Sequence, residues 1–209
     1  NKLDVVTANA LDNNVTVRLG DGMGGLLAAA SYNVDSFPVK VSTADVNGDG
    51  KLDLMTVDQD GLALSLLLGD GTGKFAPAPK SPFMLFPSPG SLAVGDVNGD
   101  GKPDVVCGST IVSRVGVLIG DGAGGFANVV TYVTTAGTLA AGVTLADVNS
   151  DNKLDIITAS AASGGGNLLL NDGTGKFLAA TTLPAGVYTS AVAALDLNGD
   201  GKIDLAFTN

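Results

Sequence analysis

Apolar residues along this chain fall into short runs separated by polar, glycine-rich turns. One set, Leu54–Val57, Val105–Cys107 and Ile156–Thr158, begins directly behind an aspartate. A second set follows a further short turn: Val15–Leu19, Leu62–Leu68, Val115–Ile119 and Asn167–Leu170. Small apolar residues lead into each aspartate-rich loop, as in Ser91–Gly95, and a fourth run closes each unit behind a Gly/Asn-Asp-Gly-x-Gly-x-Phe/Leu turn at Gly20, Gly69, Gly120 and Asn171. The runs are short and rich in β-branched residues, and no 3.6-residue period marks an amphipathic helix, so all four are predicted to be strands.

The pattern repeats. The loop Asp-x-Asn-x-Asp-x-x-x-Asp starts at Asp45, Asp96, Asp147 and Asp196, at intervals of 51, 51 and 49 residues. Four strands in a period of about 50 residues match a β-propeller blade, whereas stacked solenoid coils use shorter repeats. The expected fold is all-β: blades of four antiparallel strands, about four in number, forming an arc of a larger propeller or a small closed ring. A single repeat domain would span 1–209. It would comprise a partial unit 1–40, units at about 41–91, 92–142 and 143–191, and a half unit 192–209. The opening Asn1-Lys2-Leu3-Asp4 matches Asn152-Lys153-Leu154-Asp155, which suits a piece excised from a longer chain, with Asp4 the remnant of a fifth loop.

The loop carries the chemistry. Calcium takes six to eight oxygens in flexible geometry, and alternate residues of a tight loop can supply them. The expected donors are Asp45, Asn47, Asp49, the Lys51 carbonyl and Asp53 in the first copy, and Asp96, Asn98, Asp100, the Lys102 carbonyl and Asp104 in the second. Asp147, Asn149, Asp151, the Lys153 carbonyl and Asp155 follow in the third, then Asp196, Asn198, Asp200, the Lys202 carbonyl and Asp204. Gly50, Gly101 and Gly201 stand where the chain must turn with positive φ, and Asn152 stands there in the third copy. That copy, with Ser150 and Asn152 in place of glycines, is expected to be the weakest. An EF-hand would need a glutamate at its twelfth position, which is Thr56, Cys107, Thr158 or Phe207 here. Acidic hairpin turns without a metal are the plainer alternative, but three like charges in one loop, kept in four copies, repel without a cation.

Composition narrows the rest. All 21 acidic residues are aspartates, and twelve of them lie in the four loops. Four divalent cations would bring the net charge of −10 to −2, and no basic surface is present for nucleic acid. There is no histidine, and Cys107 is the one cysteine, expected to be a small buried hydrophobe. That excludes Cys/His zinc sites, a disulfide framework and a histidine-based triad. No apolar run reaches the length of a membrane span. Gly69–Phe75 is not a phosphate loop, because no helix follows it and it recurs in every unit; Phe75, Phe126 and Phe177 are expected to anchor strands between blades. Asp58 and Asp60 are the one other local acidic pair, expected to face solvent from a turn, so the chain is expected not to be an enzyme.

Loop and repeat together resemble the FG-GAP/VCBS family, the blades of integrin-α-type propellers and of many bacterial secreted proteins. The integrin-type Phe-Gly pair and Gly-Ala-Pro are missing, which favours the VCBS-like branch. The resemblance implies structural calcium, about four ions, and an extracellular or cell-surface setting. The leading expectation is a non-catalytic module that binds a protein or glycan through irregular segments between blades: Asp35–Pro38, Ala76–Pro87 and Thr134–Gly142. The prolines of the second of these also suit a rigid connection packed on a neighbouring blade. Self-assembly into a filament or surface layer by strand complementation, and an accessory role beside a secreted hydrolase, are the alternatives.

Overall fold

The structure is a computed structural model that describes residues 2–135, 137–162 and 165–209. Its strands form five antiparallel sheets in chain order. The first holds β1 (Val5–Asn9), β2 (Asn14–Arg18) and β3 (Ala30–Asn33). The second holds β4 (Pro38–Ala44), β5 (Asp53–Asp58) and β6 (Ala63–Gly69), with β7 (Phe75–Pro77) and β8 (Phe83–Met84) both pairing with β6. The third runs β9 (Pro89–Gly95), β10 (Asp104–Ser109), β11 (Arg114–Leu118) and β12 (Val130–Val133). The fourth runs β13 (Gly142–Ala146), β14 (Asp155–Ala159), β15 (Gly166–Leu169) and β16 (Thr181–Leu183). The fifth pairs β17 (Ala191–Leu195) with β18 (Asp204–Thr208). A single turn of 3₁₀ helix, Ala10–Asp12, is the one helical piece among the described residues.

Each full sheet is a meander whose neighbours in sequence are neighbours in space, and β4, β9, β13 and β17 pack side by side. The sheets thus stand as blades along an arc. Strands β5, β10 and β14 are buried along their whole length. A strand covered on both faces needs apolar residues at successive positions, which is why these segments read as continuous runs without alternation. Every core cluster straddles two blades. Met55, Leu64 and Leu66 of the second meet Val105, Cys107 and Leu118 of the third. Val106, Val115 and Val117 of the third meet Ile156 and Leu169 of the fourth, and Val15 and Val17 of the first meet Leu54 and Leu67. Cys107 is fully buried, and burial pushes its thiol pKa up, so it is the inert apolar residue expected.

Aromatic pairs join successive blades. Phe75, Phe126 and Phe177 each meet, edge to face, an aromatic ring of the preceding blade: Tyr32 at 5.5 Å, Phe83 at 5.2 Å and Tyr132 at 5.4 Å. The proline-rich segment supplies one of these partners. It splits the fourth strand of its blade into β7 and β8, buries Ala78 and Phe86, and leaves Met84 exposed. Gly116 makes room for the Phe86 ring, since a Cβ there would lie 2.3 Å from the ring edge. The segment is thus the packed connection rather than a free apolar loop.

Candidate metal centres

Each Asp-x-Asn-x-Asp loop joins the first and second strands of its blade, and its first aspartate shapes it. Asp45 Oδ1 accepts N–H bonds from Gly48 (2.8 Å) and Asp49 (3.1 Å), and its Oδ2 accepts one from Gly50 (2.7 Å). Asn47 Oδ1 accepts from Asp49 N, and Asp49 Oδ1 from Lys51 N. The same bonds recur around Asp96, Asn98 and Asp100, and around Asp196, Asn198 and Asp200. In the third loop Asp147 accepts from Asp151 N and Asn152 N, Asn149 from Asp151 N, and Asp151 from Lys153 N. The wrap needs positive φ at two positions: Gly48 (74°) and Gly50 (79°) in the first loop, Ser150 (61°) and Asn152 (63°) in the third.

The last aspartate has a separate task. Asp53, Asp104 and Asp155 are fully buried. Asp53 Oδ2 accepts from Val46 N (3.0 Å), and its Oδ1 from Gly69 N (2.9 Å) at the start of the second turn. Asp104 does the same with Val97 and Gly120, and Asp155 with Val148 and Asn171. Asp4 holds Gly20 N at 2.8 Å, confirming it as a fifth copy of this position. Asp204 accepts from Leu197 N. Burial pushes the Asp53, Asp104 and Asp155 carboxyls up, their two N–H bonds pull them down, and the other two aspartates of each loop add to the rise. Three negative charges therefore lie within electrostatic reach of one another in each of these loops. Lysine offsets part of this: Lys51 Nζ is 3.2 Å from Asp49, Lys153 3.5 Å from Asp151 and Lys102 3.8 Å from Asp100.

The donor chemistry fits a hard cation, because every named group offers oxygen and no sulfur or imidazole competes. Asp45, Asn47, Asp49, the Lys51 carbonyl and Asp53 would hold it, as would their counterparts in the other loops, and the ion would supply charge neutralisation. Among the described residues no three carboxylates converge as a ready-made cage. Their oxygens are instead turned onto backbone N–H groups.

The second turn is built by its own aspartate. Asp21, Asp70, Asp121 and Asp172 each accept the N–H two residues on. Their carboxyls are held below the ordinary range, by hydroxyl and then N–H bonds at Asp70 and Asp172 and by N–H bonds at Asp21 and Asp121. Thr72 and Thr174 hydroxyls bond Asp70 and Asp172 as well. The following blade's turn then lies over the preceding loop: Gly124 N donates to Val46 O (3.3 Å), and Asn171 Nδ2 to Val97 O (2.7 Å).

The pair Asp58 and Asp60 departs from expectation. Asp60 is exposed, but Asp58 is fully buried, accepting Thr56 and Ser65 hydroxyls. Burial pushes its carboxyl up to about 6, the two hydroxyls lower it, and the charge of Asp35 raises it. It was misread because its turn is polar in sequence, while the residue itself sits at the inward end of β5. The irregular connections are also tucked in. Thr134, Thr138 and Ala140 are buried, and Asn167 ties Thr135 N to the Thr138 hydroxyl. The aromatic left outside is Tyr188, 70% exposed in the β16–β17 connection, which nothing in the sequence pattern singled out.

Comparison with known proteins agrees with this architecture. A search of curated proteins finds no match. Among solved structures, a lectin from Agrocybe aegerita, described as recognising non-reducing terminal N-acetylglucosamine, superposes with a TM-score of 0.58 at 18% identity, covering 91% of this chain and 54% of that one. The NanB sialidase of Streptococcus pneumoniae gives 0.58 at 12% identity, covering 93% of this chain and 32% of that one. The chain thus spans about half or less of each, and the likeness is one of fold. The FG-GAP-like repeat matches at residues 1–56, 45–107, 96–158 and 153–207, once for every loop-to-loop interval just described. With those matches spanning nearly its whole length, the chain belongs to the FG-GAP-like repeat family.

Proposed function

We propose that this chain is a calcium-stabilised, extracellular, non-catalytic propeller module that binds a protein or glycan. The observation that carries the metal reading is the shared wrap of the loops, with three carboxylates crowded into each and, in the first three, a lysine as internal counter-charge. A scaffold role follows from their position, since every loop sits at the same strand junction and the first three clasp the second turn of their own blade.

Recognition belongs to the opposite end, where the blades differ from one another. Leu11, Ile111 and Tyr188 are exposed there on turns and connections, and Met84 on the short strand β8. Equilibrium dialysis should find about four calcium ions per chain. A screen against glycans and surface proteins should find a ligand whose binding falls on Tyr188→Asn, with melting unchanged. Asparagine is the suitable replacement because Tyr188 has φ of 58°. Binding lost equally on altering the acidic end would contradict the placement, and a chain that takes up no calcium would contradict the metal reading.

A further inference from the structure

The loops contain Asn-Gly pairs at Asn47-Gly48, Asn98-Gly99 and Asn198-Gly199, while the third loop has Asn149-Ser150. We propose that the Asn-Gly pairs are sites of spontaneous conversion to aspartate and isoaspartate, guarded by the fold to different degrees, with Asn198 the first to react in the 209-residue chain. This stands on the geometry of the loops and holds whether or not they take calcium.

The backbone nitrogen of the glycine attacks Asn Cγ. A C–N bond forms, the Cγ–Nδ2 bond breaks, and ammonia leaves with the amide proton. Water then opens the cyclic imide, at Cγ to give aspartate or at the backbone carbonyl to give isoaspartate. Glycine permits ring closure because it has no Cβ to crowd the attacking nitrogen.

In the folded loops that nitrogen is engaged. Gly48 N and Gly99 N donate to Asp45 and Asp96 at 2.8 and 2.7 Å, and Gly199 N to Asp196 at 2.6 Å. The asparagine oxygens are held by Asp49 N, Asp100 N and Asp200 N. Reaction therefore waits on opening of the loop, and its rate follows the local stability.

That stability differs between copies. Gly124 of the third blade lies over Asn47, where a Cβ would be 3.6 Å from the asparagine Cβ, and Gly175 of the fourth lies 3.2 Å from Asn98 by the same measure. Val46 and Val97 beside them are 2% exposed, whereas Leu197 is 61% exposed and Asn198 is exposed with it. The products differ in consequence. Aspartate adds a carboxylate to a loop already rich in them. Isoaspartate lengthens the backbone by one methylene and displaces the N–H groups that Asp196 gathers.

The test is peptide mapping by mass spectrometry of the 209-residue chain, aged in mildly alkaline buffer with calcium, with isoaspartyl methyltransferase labelling of the products. A parallel sample is aged in urea. Folded, Asn198 should convert at least about threefold faster than Asn47 and Asn98, reflecting its lower cost of opening. In urea the three should react alike, and Asn149 should trail in both samples. Equal rates at the three sites in the folded chain would overturn the role of blade cover. An Asn149 as fast as its counterparts, or no conversion at Asn198, would overturn the assignment itself.

Discussion

Ser150 is the residue in the four loops whose backbone is least suited to its place. It holds φ of 61°, where its counterparts Gly48, Gly99 and Gly199 hold 74°, 76° and 80°. A non-glycine residue there costs roughly 1–2 kcal/mol. Ser150→Gly should therefore stabilise the chain by about 1 kcal/mol in chemical denaturation, after the entropy of the added glycine is subtracted. Asn152→Gly should gain less, because asparagine tolerates this region. Asp58 gives a prediction of a different kind. Its folded carboxyl is raised from 3.8 to about 6, so the folded chain binds a proton more readily than the unfolded one. The associated stability is complete below the unfolded value and is lost as pH rises through about 6. Asp58→Asn should remove a loss of on the order of 3 kcal/mol between those limits, leaving a flatter stability profile than the parent. A parent-minus-variant difference that does not change across that window would contradict the burial of this carboxyl.

Among the elements, the loop and the second turn act as one unit, because a single buried carboxylate bonds both. Gly69 shows how closely they approach: a Cβ there would sit 2.1 Å from Leu52 O. Gly69→Ala should cost about 2 kcal/mol or more, since backbone would have to move to admit the methyl group. Asn171, which fills the same position in the fourth blade, shows that a wider junction can be built, with its amide bonding Val97 O and Leu154 O. Phe177→Ala should cost about 3–5 kcal/mol, read by the same denaturation curves, as it empties a core site and removes the edge contact with Tyr132. The strands and loops were legible because both rest on local spacing: a run, a turn glycine, an aspartate at a fixed offset. The partners of the phenylalanines were not. Tyr32, Phe83 and Tyr132 stand 43, 43 and 45 residues before the rings they meet, but they lie in the irregular fourth-strand segments, where no shared motif marks them. Phe83 reaches its place only because the proline segment splits a strand. The sequence marks Asp53 as a member of the acidic loop, but its clasp on Gly69 N depends on how two hairpins of one blade align, which no local pattern records.

Across the whole molecule, charge is strongly polarised. The twelve loop aspartates, Asp4 and the four turn aspartates lie at one end of the blades, seventeen of the 21 acidic residues in the chain. The other end carries buried polar ties between blades, such as Thr189 bonding Ser160 and Gly165, and exposed apolar tips. Four calcium ions would cancel eight of the ten net negative charges and relieve repulsion within and between neighbouring loops. Because the unfolded chain cannot assemble the sites, that binding would appear directly as folding stability. The most direct measurement is the melting temperature of the chain in EDTA, and then with calcium at rising concentration. The account predicts an increase that continues with calcium concentration and is reduced by Asp96→Asn, which removes a carboxylate from one loop. A melting temperature unmoved between EDTA and excess calcium would contradict it.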